Sequence, residues 1–447
     1  MIRTWKALAA AAVLTTSLSI TPATSADAAS GHFTGTLADG STWLADVPAQ
    51  WNGTLLLYSH GFGPLTAQDA PSPAVGAALL ARGYALAGSS YAPGSLWALG
   101  SAVDDQLGTA EAVRGIIGRP RHTIAFGTSM GGLISALLGE TGRVDGALTT
   151  CGIVAGGADL NNYQLDAEYA LTALLAPGEA IRLTGYATPD AANATGARLT
   201  QLLRDAQATP AGRARIAFAA ALFNQSAWYP GSTKPAPGDF AEQEAQQFEW
   251  LTTGNVVNFV VGGRYWIELA AGGDSGWTAG VDFARLLRTS SHLPQVRALY
   301  RSAGLDMRAD LMALTRDAGI KADRSALAWM LRTSTPTGRL RAPELDVHTV
   351  SDQLVPVEQE NQYARRVAAA GRSALLRQAY VDRAGHCNFT TGELVAATDA
   401  IRQRVATGRW GAVATPAGLN RAAAALGLGD AAYVPYRPPA LVTQPVR

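Results

Sequence analysis

Between residues 54 and 156, strand-length segments alternate with segments of helical period, and few architectures accommodate that rhythm. Residues 54–58, Thr-Leu-Leu-Leu-Tyr, form a continuous apolar run, as expected of a strand buried on both faces. A helix is predicted at 73–82, with Ser72 placed to cap it, Pro73 at its first position and Gly83 to end it. Strands at 84–88, 123–126 and 144–150 then alternate with helices at 102–117 and 130–138. Parallel strands need crossovers of this length, so the expected core is α/β with a mostly parallel sheet. Ahead of it, 33–37 and 42–47 flank an Asp39-Gly40 turn and read as an antiparallel hairpin.

The alternation stops near Gly156 and resumes after Arg341, with strands at 344–350 and 375–381 and helices at 358–370 and 394–405. The residues between are mostly helical in period, at 165–175, 197–206, 211–223, 240–251, 281–287, 295–303 and 307–318, broken by Pro/Gly loops. The layout expected is therefore a core in two parts, 29–156 and 342–410, interrupted by a helical lid or cap at 157–341. Residues 411–447 form a C-terminal extension, and its stretch with Pro435, Pro438, Pro439 and Pro445 reads as an extended tail.

Residues 1–28 carry Arg3 and Lys6, an apolar run and Ala26-Asp27-Ala28, the pattern of a secretory signal cleaved near Ala28. The expectation is a secreted protein. The apolar stretch at 256–271 is interrupted by Arg264 and Glu268, so no stable membrane insertion is expected from it. Basic and acidic residues number 36 and 35 without a basic stripe, which argues against nucleic acid as a partner. The oligomeric state is not legible.

Chemistry concentrates at the ends of strands. Gly127-Thr128-Ser129-Met130-Gly131 lies between a predicted strand and a predicted helix, the setting of a G-x-S-x-G nucleophile elbow. A serine nucleophile needs a base, and the base an orienting carboxylate. Of six histidines, His386 follows the last core strand and is the expected base. His32 and His122 read as surface residues, and His292 and His348 as structural ones. Asp352, just after the strand at 344–350, is the expected acid, although an aspartate there also suits a helix cap. Asp346 and Asp382 rank below it.

His60-Gly61-Phe62-Gly63 follows the first core strand, and its glycines let a backbone N–H approach a substrate oxygen. The N–H groups of Met130 and of Phe62 (or Gly63) are the expected oxyanion donors. Gly273-Asp274-Ser275-Gly276 echoes a protease serine site by chance, since Trp277 follows it. H-E-x-x-H, C-x-x-C and a dinucleotide fingerprint are absent from the sequence, so neither a metal nor another cofactor is expected. For Trp228, Tyr229, Trp250, Tyr265, Trp266 and Trp277 in the insertion, core packing is a better expectation than a cleft lining.

Hairpin, H-G-x-G, G-x-S-x-G, D-x-x-V-P and G-H in that order resemble the α/β-hydrolase superfamily. The resemblance implies Ser129 as nucleophile, Asp352 as acid, His386 as base and Phe62 and Met130 as oxyanion donors. His386-Cys387 is also similar to the tannase and feruloyl-esterase group. There the partner cysteine precedes the nucleophile, where this chain has Thr128. With an oxidising destination and two cysteines, Cys151 and Cys387 are expected to pair, both falling at the C-terminal edge of the sheet. The function expected is hydrolysis of a small-molecule or polymer-linked carboxylic ester through an acyl-enzyme. The rivals are a secreted serine peptidase on the same fold and, remotely, a noncatalytic binding protein.

Overall fold

The computed structural model describes residues 29–444. The expected signal segment and Pro445 lie outside the described residues. The chain opens with β1 (Gly31–Thr36), β2 (Thr42–Val47), β3 (Thr54–Ser59), α1 (Pro73–Ala81), β4 (Ala85–Ser89), α2 (Ala102–Ile117), β5 (His122–Thr128), α3 (Met130–Thr141) and β6 (Gly146–Thr150). The helices α4 (Gly157–Leu175), α5 (Pro189–Ala206), α6 (Pro210–Phe223), α7 (Phe240–Leu251), α8 (Val256–Ala271), α9 (Phe283–Thr289), α10 (Leu293–Ser302), α11 (Met307–Asp317) and α12 (Arg324–Thr333) follow without an intervening strand. The chain then returns through β7 (Glu344–Ser351), α13 (Glu358–Ala369), β8 (Leu376–Ala384), α14 (Thr391–Thr407), α15 (Pro416–Leu426) and β9 (Tyr433–Val434).

One nine-stranded sheet runs in the order β1-β2-β4-β3-β5-β6-β7-β8-β9. β1, β2 and β4 pair antiparallel, β4-β3-β5-β6-β7-β8 are parallel, and β9 closes the far edge antiparallel. This is the mostly parallel α/β sheet with an N-terminal antiparallel hairpin expected from the sequence. Every residue of β3, β6 and β7 is buried because helices cover both faces of the sheet. Leu55, Leu57 and Ala125 pack one face, and Leu56, Ile124 and Leu148 the other.

The lid has a core of its own, built on residues such as Leu165, Leu199, Ala219, Val257 and Phe283. Six of its helices start where a side chain accepts an orphan backbone N–H. Thr188, Thr209, Asp239, Asp282, Asp306 and Asp323 each do so. α8 was not expected as a helix. It lacks such a cap, Asn255 standing before it at φ 59°, and its apolar residues mask a period. Inside the fold, Arg264 on α8 is fully buried and forks onto both carboxylate oxygens of Glu168 at 2.9 Å, with Asn161 Oδ1 on its other nitrogen. That pairing explains the charge inside so apolar a stretch. Among the described residues no helix is long and apolar enough to cross a membrane.

Within the C-terminal extension, residues 411–434 hold a helix and an edge strand that were not singled out from sequence. Thr415 caps α15, Pro416 occupies its first turn, and β9 pairs Tyr433 with Val381. The prolines further on obscure this cap-and-alanine signal. Beyond β9 the described chain does run extended, and its residues 442–444 pack against the lid. The Val442 N–H donates to Asn224 Oδ1 at 2.7 Å, and the Gln444 amide to both oxygens of Asp166 at 2.9 and 3.0 Å.

Candidate active site

β5 runs directly into α3 with Ser129 as the residue between them. Ser129 has φ 61° and ψ −121°, a conformation costing a non-glycine residue on the order of 1–3 kcal/mol. Neighbouring backbone enforces it. A Cβ on Gly127 would stand 1.9 Å from the Gly131 carbonyl oxygen, and one on Gly131 would stand 1.8 Å from that of Ser59. Only hydrogen at both positions lets strand, turn and helix close up. Met130, first in α3, has no intrahelical acceptor for its N–H.

His386, in the loop after β8, places Nε2 2.9 Å from Ser129 Oγ and Nδ1 2.7 Å from Asp352 Oδ2. The ends of β5, β7 and β8 thus bring together the three residues singled out by their strand-end positions. Asp352 is buried, and its Oδ1 accepts the N–H groups of Leu354 and Val355, each at 2.9 Å. It therefore braces a turn, but one that ends before α13, so it is not that helix's cap. Burial opposes its charge, and the charges and hydrogen bonds of His386 and His348 outweigh burial, holding the carboxyl well below the usual carboxylate range. Gln353 was not singled out from sequence, yet its Oε1 accepts the His386 N–H at 2.9 Å.

His348 was read as structural and stands directly behind the acid. Its Nε2 lies 3.6 Å from Asp352 Oδ2 and 2.8 Å from the Val355 carbonyl oxygen, and its Nδ1 is 2.8 Å from Glu360 Oε1. A ring whose two nitrogens both face acceptors is the imidazolium. Burial disfavours that charge, but Asp352 and Glu360 prevail and push the group well above its ordinary range. The spacing of His348 four residues before Asp352 was the available signal. The other weighed aspartates lie elsewhere. Asp346 is buried within β7, and Asp382 is an exposed partner of Lys234.

Gly61 packs against the elbow, where a Cβ would lie 3.3 Å from Ser129 Cβ. Among the described residues, no backbone hydrogen bond engages the N–H of Phe62 or Met130. The turn is held from behind by Tyr91, itself at φ 63°, whose ring stacks on His60 at 4.2 Å and whose hydroxyl donates to the His60 carbonyl at 2.9 Å. Tyr91 was missed, since no motif includes it.

Cys151 and Cys387 form a disulfide with Cα atoms 5.3 Å apart, tying the end of β6 to the loop that carries His386. Among the described residues, Cys151, His386 and Cys387 form the cluster with metal-ligand spacing, but both sulfurs are committed to the disulfide and offer no thiolate.

Above Ser129 and His386 opens a cavity of about 350 Å³. Phe62 and Trp97 line it from the core, Leu160 and Gln164 from α4, and Phe259 and Ile267 from α8. The six weighed aromatics are not among its lining residues. Tyr229 packs on Trp250 and Tyr265 on Trp266, as the packing expectation held. Ser275 is buried and accepts from Asn161 Nδ2, as a chance motif would.

The chain matches no protein-family model. It is 28% identical over 423 residues to the o-phthalyl amidase of Xanthobacter agilis, covering 89% of this chain and 92% of the relative. Among solved structures, feruloyl esterase B from Aspergillus oryzae aligns with 79% of this chain and 72% of its own at 12% identity and TM-score 0.37. The Pyrococcus horikoshii acylaminoacyl peptidase aligns at 10% identity and TM-score 0.34, covering 81% of this chain; this chain spans 38% of that one. At such scores neither structure informs substrate or mechanism.

Proposed function

We propose that this chain is a secreted serine hydrolase of the α/β-hydrolase superfamily that cleaves carboxylic esters through an acyl-enzyme. The observation that carries the reading is the unbroken hydrogen-bond chain from Asp352 through His386 to Ser129, opening into an apolar cavity. His386 Nε2 takes the proton from Ser129 Oγ as the oxygen attacks the substrate carbonyl. Asp352 holds the ring in the required tautomer and balances the imidazolium that forms. The N–H groups of Phe62 and Met130 receive the oxyanion, at about 3 kcal/mol of transition-state stabilisation per donor. His386 then protonates the leaving alcohol, and water, activated by the same ring, resolves the acyl-enzyme.

The cavity volume, about 350 Å³, falls at the lower end of the ~300–1,000 Å³ typical of small-molecule sites. That size suits a compact acyl group and leaves the alcohol, small or polymer-linked, unrestricted. Cleavage of an amide is a second reading, favoured by the relative named as an o-phthalyl amidase. Matched p-nitrophenyl esters and p-nitroanilides of the same acids decide between them. Ester turnover well above anilide turnover supports the proposal. Equal or faster anilide cleavage moves the assignment to an amidase, and no turnover of either by folded protein removes it.

A further inference from the structure

Building on the hydrolase reading, we propose that the acyl group held over Ser129 is uncharged and carries a neutral hydrogen-bonding substituent that Gln164 recognises. The cavity lining contains no Lys, Arg, Asp or Glu. Apart from Ser129 and His386, its polar side chains are Thr128 and Gln164, and the Thr128 hydroxyl is already paired with Thr150 at 3.0 Å. Gln164 projects from α4, is 8% exposed, lines the cavity, and has the Tyr163 hydroxyl within bonding reach of its side chain. Its neighbour is the Tyr163 hydroxyl, which receives Gln359 at 3.4 Å. One hydroxyl partner leaves the rest of the amide's donors and acceptors free toward the cavity, and an occupant that meets them gains a hydrogen bond in an apolar setting.

An amide both donates and accepts, so it suits a hydroxyl, a carbonyl or a carboxamide. It cannot neutralise a carboxylate, and with no cation in the lining a carboxylate would enter as an unpaired buried charge. The ring geometry narrows the class to aryl acyl groups. Phe259 on α8 lines the cavity, is 43% exposed overall, and meets Phe62 edge-to-face, centroids 5.9 Å apart, an arrangement a third aromatic ring can extend.

The test uses the full-length protein and p-nitrophenyl esters of benzoate, 3-carbamoylbenzoate and 3-carboxybenzoate near neutral pH, the last two being nearly isosteric. The expected kcat/KM for the carbamoyl ester exceeds that for the carboxy ester by at least about 100-fold. In Gln164→Leu, the preference for carbamoyl over unsubstituted benzoyl should narrow by about tenfold. A carboxy ester cleaved as well as the carbamoyl ester overturns the proposal, as does an undiminished carbamoyl preference in the variant. Should that variant fail to fold, the wild-type comparison decides alone. Fluorophosphonate labelling of Ser129 separates the two layers. Labelling with a flat acyl profile overturns this inference and leaves the hydrolase reading standing, whereas neither labelling nor turnover overturns both.

Discussion

The imidazole of His348 and the carboxylate of Asp352 stand 3.6 Å apart, both fully buried, with His348 Nε2 facing the same Oδ2 that engages His386. A buried cation there draws on the negative charge that Asp352 offers to His386. Removing it takes away one of the two histidines whose charge and hydrogen bond hold the Asp352 carboxyl low and in place. His348→Gln should therefore lower kcat by about fivefold or more with KM little changed. A kcat that stays in place while only stability falls would make His348 a packing residue.

Clamping by the disulfide makes a kinetic prediction. The 236-residue separation of Cys151 and Cys387 implies at most about 5 kcal/mol from restricting the unfolded chain. Cys387 also adjoins His386, so Cys387→Ser should lower kcat at temperatures where circular dichroism shows an intact fold. Unchanged kcat under those conditions would confine the bond to stability.

Gly263 lines the cavity on α8, and a Cβ built there meets nothing within 4 Å. Gly263→Leu should therefore fill the cavity without a backbone clash, while gaining helix propensity of up to about 1 kcal/mol. Expected is a KM rise for benzoyl esters at least about tenfold greater than for acetyl esters. Parallel changes for both would place the acyl group elsewhere.

Glu344, fully buried in β7, accepts the Tyr363 hydroxyl at 2.9 Å, while burial and then neighbouring acids push its pKa up to about 8. Its folded value lies above the unfolded one, so its protonated form supports folding below the unfolded pKa, and that support is lost as pH rises through about 8. Glu344→Gln, which cannot ionise, should stabilise the protein by up to about 5 kcal/mol at pH 9 and by almost nothing at pH 4. Denaturant titration at the two pH values reads this difference directly.

The core sheet and the grouping of Ser129, Asp352 and His386 were legible because each rests on local chemistry. A buried strand needs a continuous apolar run, and the elbow needs glycines at 127 and 131, both visible in one sequence. The disulfide was legible once strand ends were placed. What escaped depends on partners distant in sequence. Arg264 makes sense in α8 only opposite Glu168, and Gln164 shows its character only where α4 and α8 enclose a cavity over Ser129. His348 was underrated because a histidine inside a strand looks like packing until Glu360 and Asp352 are seen on either side. The helix and edge strand of the C-terminal extension went unread because its later prolines dominate its composition, while Thr415 and Pro416 start α15, which leads to β9.

Ser129 carries the whole proposal, and one labelling experiment addresses it. The intact protein is treated with a fluorophosphonate, digested and mapped by mass spectrometry, alongside Ser129→Ala. The expected outcome is one adduct, on Ser129, and a variant that neither labels nor retains more than about 10⁻⁴ of wild-type turnover, with its unfolding transition essentially unmoved. An adduct on another serine, or more than a few per cent of activity in folded Ser129→Ala, is incompatible with a nucleophile at the β5–α3 elbow.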